Sequence, residues 1–212
     1  MNTDDLIAAL AADATPQERP IGQALAWALA GGALLSLALF AALLGPRPDA
    51  LGALRTLRFD LKFLEAAAWA APSFLFCRAL ARPETEPSAL LAWLLAPVAL
   101  LGAGVVAELT LMPSDLWGVR LIGTNWWHCL TVIPLLSIAP LAALISALRS
   151  GAPRSPALTG ALAGAASAGV AALMYASNCT DDSPLFVASW YPLATAIVVA
   201  AGALAGRQWL RW

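Results

Sequence analysis

The sequence predicts an all-α integral membrane protein: six transmembrane helices in one bundle, preceded by a short cytoplasmic N-terminal amphipathic helix. Three observations predict it. Of 212 residues, 60% are hydrophobic and only 12% are charged, against about 25% charged in an ordinary soluble domain. Mean hydropathy is +0.75. Six apolar runs are each close to the roughly 20 residues needed to cross about 30 Å of hydrocarbon, and no stretch between them is long enough for a soluble domain. Twelve basic residues face 13 acidic ones. The balance leaves no basic stripe to neutralise phosphates, so a nucleic-acid partner is not expected. The high hydrophobicity excludes a disordered chain.

Residues 1–20 read as a cytoplasmic tail and 21–212 as the six-helix transmembrane domain. In the tail, Asn2 or Thr3 can cap a helix, with Asp4 and Asp5 in the first turn, where the helix dipole favours anions. Leu6, Ile7 and Leu10 form one apolar stripe, and Pro16 and Pro20 end the segment. A helix of about three turns is marginal alone in water. Tethered to a membrane, such an acidic amphipathic helix suits docking into a basic groove. The tail lacks the basic n-region of a cleaved signal, and the apolar run that follows is too long for one.

The spans are expected near 23–44, 63–81, 89–108, 127–147, 157–176 and 185–205. The second carries Lys62 and Glu65 at its start and Arg78 near its end, and the third closes on Glu108. Glu65, Arg78 and Glu108 lie close enough to span ends to reach water. In the 45–62 loop, Leu51, Leu54, Leu57 and Leu61 share a helical face, which predicts an amphipathic helix in the outer interface. Pro72, Pro97, Pro134, Pro140 and Pro192 each remove one backbone hydrogen bond from a span. Gly160, Gly164 and Ala168 form a small-residue row that predicts close packing on another helix. Trp126, Trp127, Trp190 and Tyr191 are placed in an outer aromatic belt, Trp209 and Trp212 in an inner one.

Lys and Arg set the orientation. The N-terminal side holds seven: Arg19, Arg78, Arg82, Arg149, Arg154, Arg207 and Arg211. The other side holds five: Arg47, Arg55, Arg58, Lys62 and Arg120. Both termini are therefore placed in the cytoplasm.

Of three cysteines, Cys77 reads as a small buried hydrophobe. Cys129 opens the fourth span and Cys179 follows the fifth, both at the outer surface, which in a Gram-negative cell is the oxidising periplasm. At one membrane depth on adjacent spans, they can meet. His128, Asp181 and Asp182 stand beside them, and thiolate, imidazole and carboxylate together suit a thiophilic divalent metal. Three readings stay open: a plain disulfide, an unused pair, and a thiol pair that senses metal or redox state. No Cys-x-x-Cys occurs, which argues against a disulfide-exchange enzyme. A single histidine, no Gly-x-Ser-x-Gly and no His-Glu-x-x-His argue against an enzyme in general. No resident cofactor is expected beyond a transient thiophilic metal at Cys129 and Cys179.

Taken together, Thr3-Asp4-Asp5-Leu6-Ile7, Gly123-Thr124-Asn125-Trp126-Trp127-His128-Cys129-Leu130, Ser150-Gly151-Ala152-Pro153, Cys179-Thr180-Asp181-Asp182-Ser183-Pro184-Leu185-Phe186 and Trp190-Tyr191 resemble the NrsF-type negative regulators of sigma factor F, across essentially the whole chain. The resemblance implies a membrane-embedded anti-sigma factor of the bacterial inner membrane. Its tail, through Asp4, Asp5, Leu6, Ile7 and Leu10, would hold a cytoplasmic extracytoplasmic-function (ECF) sigma factor. Cys129 and Cys179 would match the family's cysteine pair, implicated in sensing heavy metals or oxidants and so in releasing sigma. The alternative is a small membrane transporter or channel component, which would call for polar residues converging at mid-membrane. The sequence offers few.

Overall fold

The computed structural model describes residues 2–13, 20–82 and 92–210. Among them every regular element is helical. The elements are α1 (Thr3–Asp13), α2 (Ile21–Leu43), α3 (Ala50–Ala53), α4 (Leu57–Leu80), α5 (Leu95–Leu111), α6 (Trp117–Ile122), α7 (Trp126–Leu148), α8 (Pro156–Ala176) and α9 (Pro184–Trp209). Six segments are long and apolar enough to span a bilayer, and they fall within a few residues of the expected ones. The exceptions are the second, which begins at Leu57, and the fourth, whose apolar stretch begins at Ser114. The chain is a multi-pass membrane protein.

The spans alternate in direction, so two ends of the bundle gather different elements. At one end Leu25, Cys77, Leu144, Leu148 and Leu210 form an apolar cluster; α2 begins and α9 finishes here. At the other end Phe40, Cys129, Tyr175, Cys179 and Phe186 cluster. Cys129 and Cys179, expected to meet, therefore do so, and Cys77 lies at the opposite end.

Helix α8 is the axis, packed chiefly between α9 and α4. Its residues are small enough to let backbones touch. A Cβ on Gly160 would run into Gly202 and Gly206 of α9, and one on Gly164 into Val198. This is the close contact the small-residue row predicts, since dispersion between backbones replaces the missing hydrophobic drive in lipid.

Pro140 shows how a kink is satisfied. Proline has no N–H for the carbonyl four residues back, at Leu136. Ser36 of α2 donates its hydroxyl to that Leu136 oxygen at 2.6 Å. The approach is possible because Gly32 has no side chain to meet Pro140. A freed carbonyl thereby fixes the register of α2 on α7.

The 45–62 segment is not one surface helix. It forms the single turn α3, and α4 then starts at Leu57. Leu51, Leu54 and Leu57 face outward as expected, but Phe59 and Lys62 turn into the bundle. Glu65 and Glu108 do not reach water either: they are 2% and 3% exposed, while Arg78 is exposed. Tyr191 is 5% exposed and so is no belt residue, whereas Trp126 and Trp127 remain outward-facing. Pro16, Arg19, Arg211 and Trp212 lie outside the described residues.

Candidate functional site

Residues 177–183 join α8 to α9, and nearly every one of them anchors another element. Ser177 O accepts from Arg47 N at 3.0 Å. Asn178 Nδ2 donates to Gly45 O at 2.8 Å. Cys179 O accepts from Lys62 Nζ at 2.8 Å and from Arg47 Nη1 at 3.1 Å. Asp182 pairs with Lys62 at 2.6 Å and with Arg47 at 3.0 Å. Ser183 Oγ donates to Glu108 Oε2 at 2.7 Å, and Leu185 N donates to the same oxygen at 3.2 Å. One short loop thus ties together the end of α2 and the starts of α4 and α9. It also holds the end of α5.

Asp181 explains how α7 starts. The first N–H groups of a helix lack partners inside it. Asp181 Oδ2 accepts from Thr124 N at 2.9 Å, Asn125 N at 2.7 Å and Asn125 Nδ2 at 2.8 Å. It thereby fixes Thr124 and Asn125, the two residues that lead into α7, from 56 residues away, with its charge near the positive end of the dipole. Gly123 makes room: its φ is +59°, and a Cβ there would meet Phe186 and the Asp181 carboxyl. Glu108 serves α9 in the same way, with Arg58 3.5 Å from its other oxygen.

Within this frame lies the sulfur pair. Cys129 and Cys179 are both free thiols and both unexposed. The Cys129 thiol lies within hydrogen-bond reach of the Cys179 sulfur. Tyr175 stands beside Cys129 and Tyr191 beside Cys179, with their rings 6.1 Å apart. Cys179 Sγ lies 3.8 Å from the Asp181 carbonyl oxygen. The Cys179 thiol is held down to about 7: the hydrogen bond from Cys129 favours its thiolate, burial opposes it, and the Lys62 ammonium adds to the first effect. The thiolate is the form of a cysteine that reacts and binds soft metals.

The five-residue metal set is not assembled. Among the described residues no three His, Cys, Asp or Glu side chains converge to hold an ion. Asp181 is spent on the residues that lead into α7 and Asp182 on two cations, while His128 is exposed. Of the set, only the two sulfurs face each other.

In the tail, α1 forms as expected, with Asn2 at its cap: Leu6 N donates to Asn2 O at 3.1 Å, and Asn2 N to Asp5 Oδ2 at 3.4 Å. Asp4, Asp5, Leu6 and Ile7 are exposed. The Leu10 side chain lies outside the described residues.

The residues that sequence reasoning missed are Arg47, Lys62, Tyr175, Tyr191 and the capping role of Glu108. A signal for the first two existed. The depth argument that pairs the cysteines also puts Arg47 and Lys62 level with Asp181 and Asp182.

Residues 10–212 match the family described as Negative regulator of sigma F. The chain is 34% identical over 219 residues to the Probable anti-sigma-F factor NrsF of Azospira oryzae, and 35% identical over 219 residues to the Anti-sigma-F factor NrsF of Caulobacter vibrioides. Each alignment covers 100% of both chains. No solved structure matches. The chain belongs to the NrsF family.

Proposed function

We propose that this NrsF-family member is a membrane-embedded anti-sigma factor: it holds a cytoplasmic ECF sigma factor through its N-terminal tail and releases it when the outer thiols react with a heavy metal or an oxidant. The protein is a regulator rather than an enzyme, and a sigma factor is its partner. The finer reading rests on one observation: the paired thiols sit at the end of the bundle opposite Ile21, where the tail joins. Placing that tail in the cytoplasm of a bacterial inner membrane follows from the distribution of Lys and Arg. Two of the five dissenting cations, the buried Lys62 and the half-buried Arg47, are partners of Asp182, so they are weak topological signals.

The tail suits docking. Leu6 and Ile7 are 42% and 59% exposed, and Asp4 and Asp5 give their helix an acidic start. Deleting residues 2–13 tests this. Sigma should then leave the membrane fraction and transcribe its genes without stress. Sigma that still co-purifies with membranes would remove the tail from the docking role.

Two thiols without a third ligand suit a soft cation bound by sulfur alone, or oxidation to a disulfide. Cys129→Ser and Cys179→Ser should each abolish induction by cadmium or dichromate. Unchanged induction in both would exclude the thiols from sensing.

A further inference from the structure

The two sulfurs share a pocket but not a field. Cys129 ends the first turn of α7, followed on its buried face by Val132, Ile133 and Leu136. Cys179 sits in a loop whose carbonyl at the same residue takes two cations, Lys62 and Arg47. Lys62 is 1% exposed. Its ammonium lies 5.2 Å from the Phe59 ring centre, and the Arg47 guanidinium 5.1 Å. The carboxylate they share is Asp182, and Asp49 takes Arg47 Nε at 2.9 Å on the exposed rim. The groups facing Cys179 are therefore Lys62 of α4, Arg47 after α2, Cys129 of α7, Tyr175 of α8, Tyr191 of α9, and Asp181 and Asp182 of its own loop. Asp181 turns its carboxylate away, to Thr124 and Asn125.

We propose that Lys62 is a positioning residue for the thiol chemistry: bound to the Cys179 carbonyl and to Asp182, it holds Cys179 as the attacking sulfur and leaves Cys129 as the resolving one. The proposal rests on the sensing role given to the pair above. With a hydroperoxide as oxidant, the Cys179 thiolate attacks the distal oxygen. The O–O bond breaks, and the departing alkoxide or hydroxide takes a proton from solvent. Cys179 becomes a sulfenic acid. The Cys129 sulfur then attacks Cys179, loses its proton and displaces water as the disulfide forms. The peroxide gains two electrons and the thiol pair loses two.

The order of reaction can be read directly. The full chain, purified reduced in detergent, is treated with limiting iodoacetamide from pH 6 to 9, and each cysteine is quantified by peptide mass spectrometry. Alkylation forms a C–S bond, expels iodide and needs the thiolate. Both thiols are unexposed, so the reagent enters through one local opening, and the ratio of their rates removes that opening from the comparison. Cys179 should react first. Lys62→Met should slow Cys179 about fivefold at pH 7, the loss of thiolate when a midpoint near 7 rises by one unit, and move its pH midpoint upward. Lys62→Arg should restore both. Equal rates in the wild type, Cys129 reacting first, or an unmoved midpoint in Lys62→Met would overturn the proposal. Should Lys62→Met fail to fold, the wild-type order and the Lys62→Arg midpoint still decide. A sigma response indifferent to both cysteines would sink the sensing role while leaving this order intact.

Discussion

The two ends of the bundle contain cysteines of equal burial in opposite surroundings. Cys77 at the tail end is enclosed by Leu25, Phe76, Leu144 and Leu148. Cys179 at the other end sits among Lys62, Arg47, Asp181 and Asp182, in a loop with hydrogen bonds to three other segments. Apolar contacts are non-directional and tolerate small shifts. Charged hydrogen bonds in a low dielectric are all-or-none, because a lost partner leaves a buried charge. The tail end is thus built to pack. The thiol end is built so that a change at one sulfur disturbs several helix ends at once.

That contrast can be broken most forcefully at Asp182. Asp182→Ala strips Lys62 and Arg47 of their shared carboxylate and should cost about 3 to 5 kcal/mol, measured by thermal unfolding in detergent. Next is Asp181→Ala, which releases the residues that lead into α7 and should cost about 2 kcal/mol in lost hydrogen bonds to a charged group. It should also raise sigma-dependent transcription without stress, because α7 carries Cys129. Acid should loosen the thiol end in a graded way. The Cys179 thiol is lowered from 9.0 to about 7 in the folded protein. Its contribution is full above pH 9 and disappears as pH falls through 7. Stability should therefore rise from pH 7 to 9, and Cys179→Ser should flatten that rise. The smallest effect belongs to the other end: Cys77→Ala should cost about 1 kcal/mol and leave metal induction unchanged. A Cys77→Ala protein that no longer responds would erase the distinction between the two ends.

The sequence made legible what depends on local runs of residues. Six spans follow from apolar length alone, and the Gly160 and Gly164 contact follows from residue size. The meeting of Cys129 with Cys179 was readable because membrane depth reduces a three-dimensional question to one coordinate. The lattice was not readable in the same way. Lys62 at a span edge counts as a basic residue that sets orientation until Asp182, 120 positions later, is found against it. Asp181 looks like a metal ligand until the N–H groups of Thr124 and Asn125, just before α7, claim it. Tyr191 next to Trp190 looks like a belt pair; only the helix rotation shows one ring inside and the other bonded outward to Leu121 O at 2.9 Å. The first two misreadings concern polar side chains whose partners are far away in the chain.

The account depends on communication between the two ends. The direct measurement is the affinity of the purified protein, in lipid nanodiscs, for its fluorescently labelled sigma factor, before and after treatment with cadmium or a hydroperoxide. Affinity should fall about 100-fold, which corresponds to a coupling of about 2.7 kcal/mol, and should not change in Cys129→Ser or Cys179→Ser. An affinity that stays constant in the wild type, or falls equally in the serine variants, would contradict it.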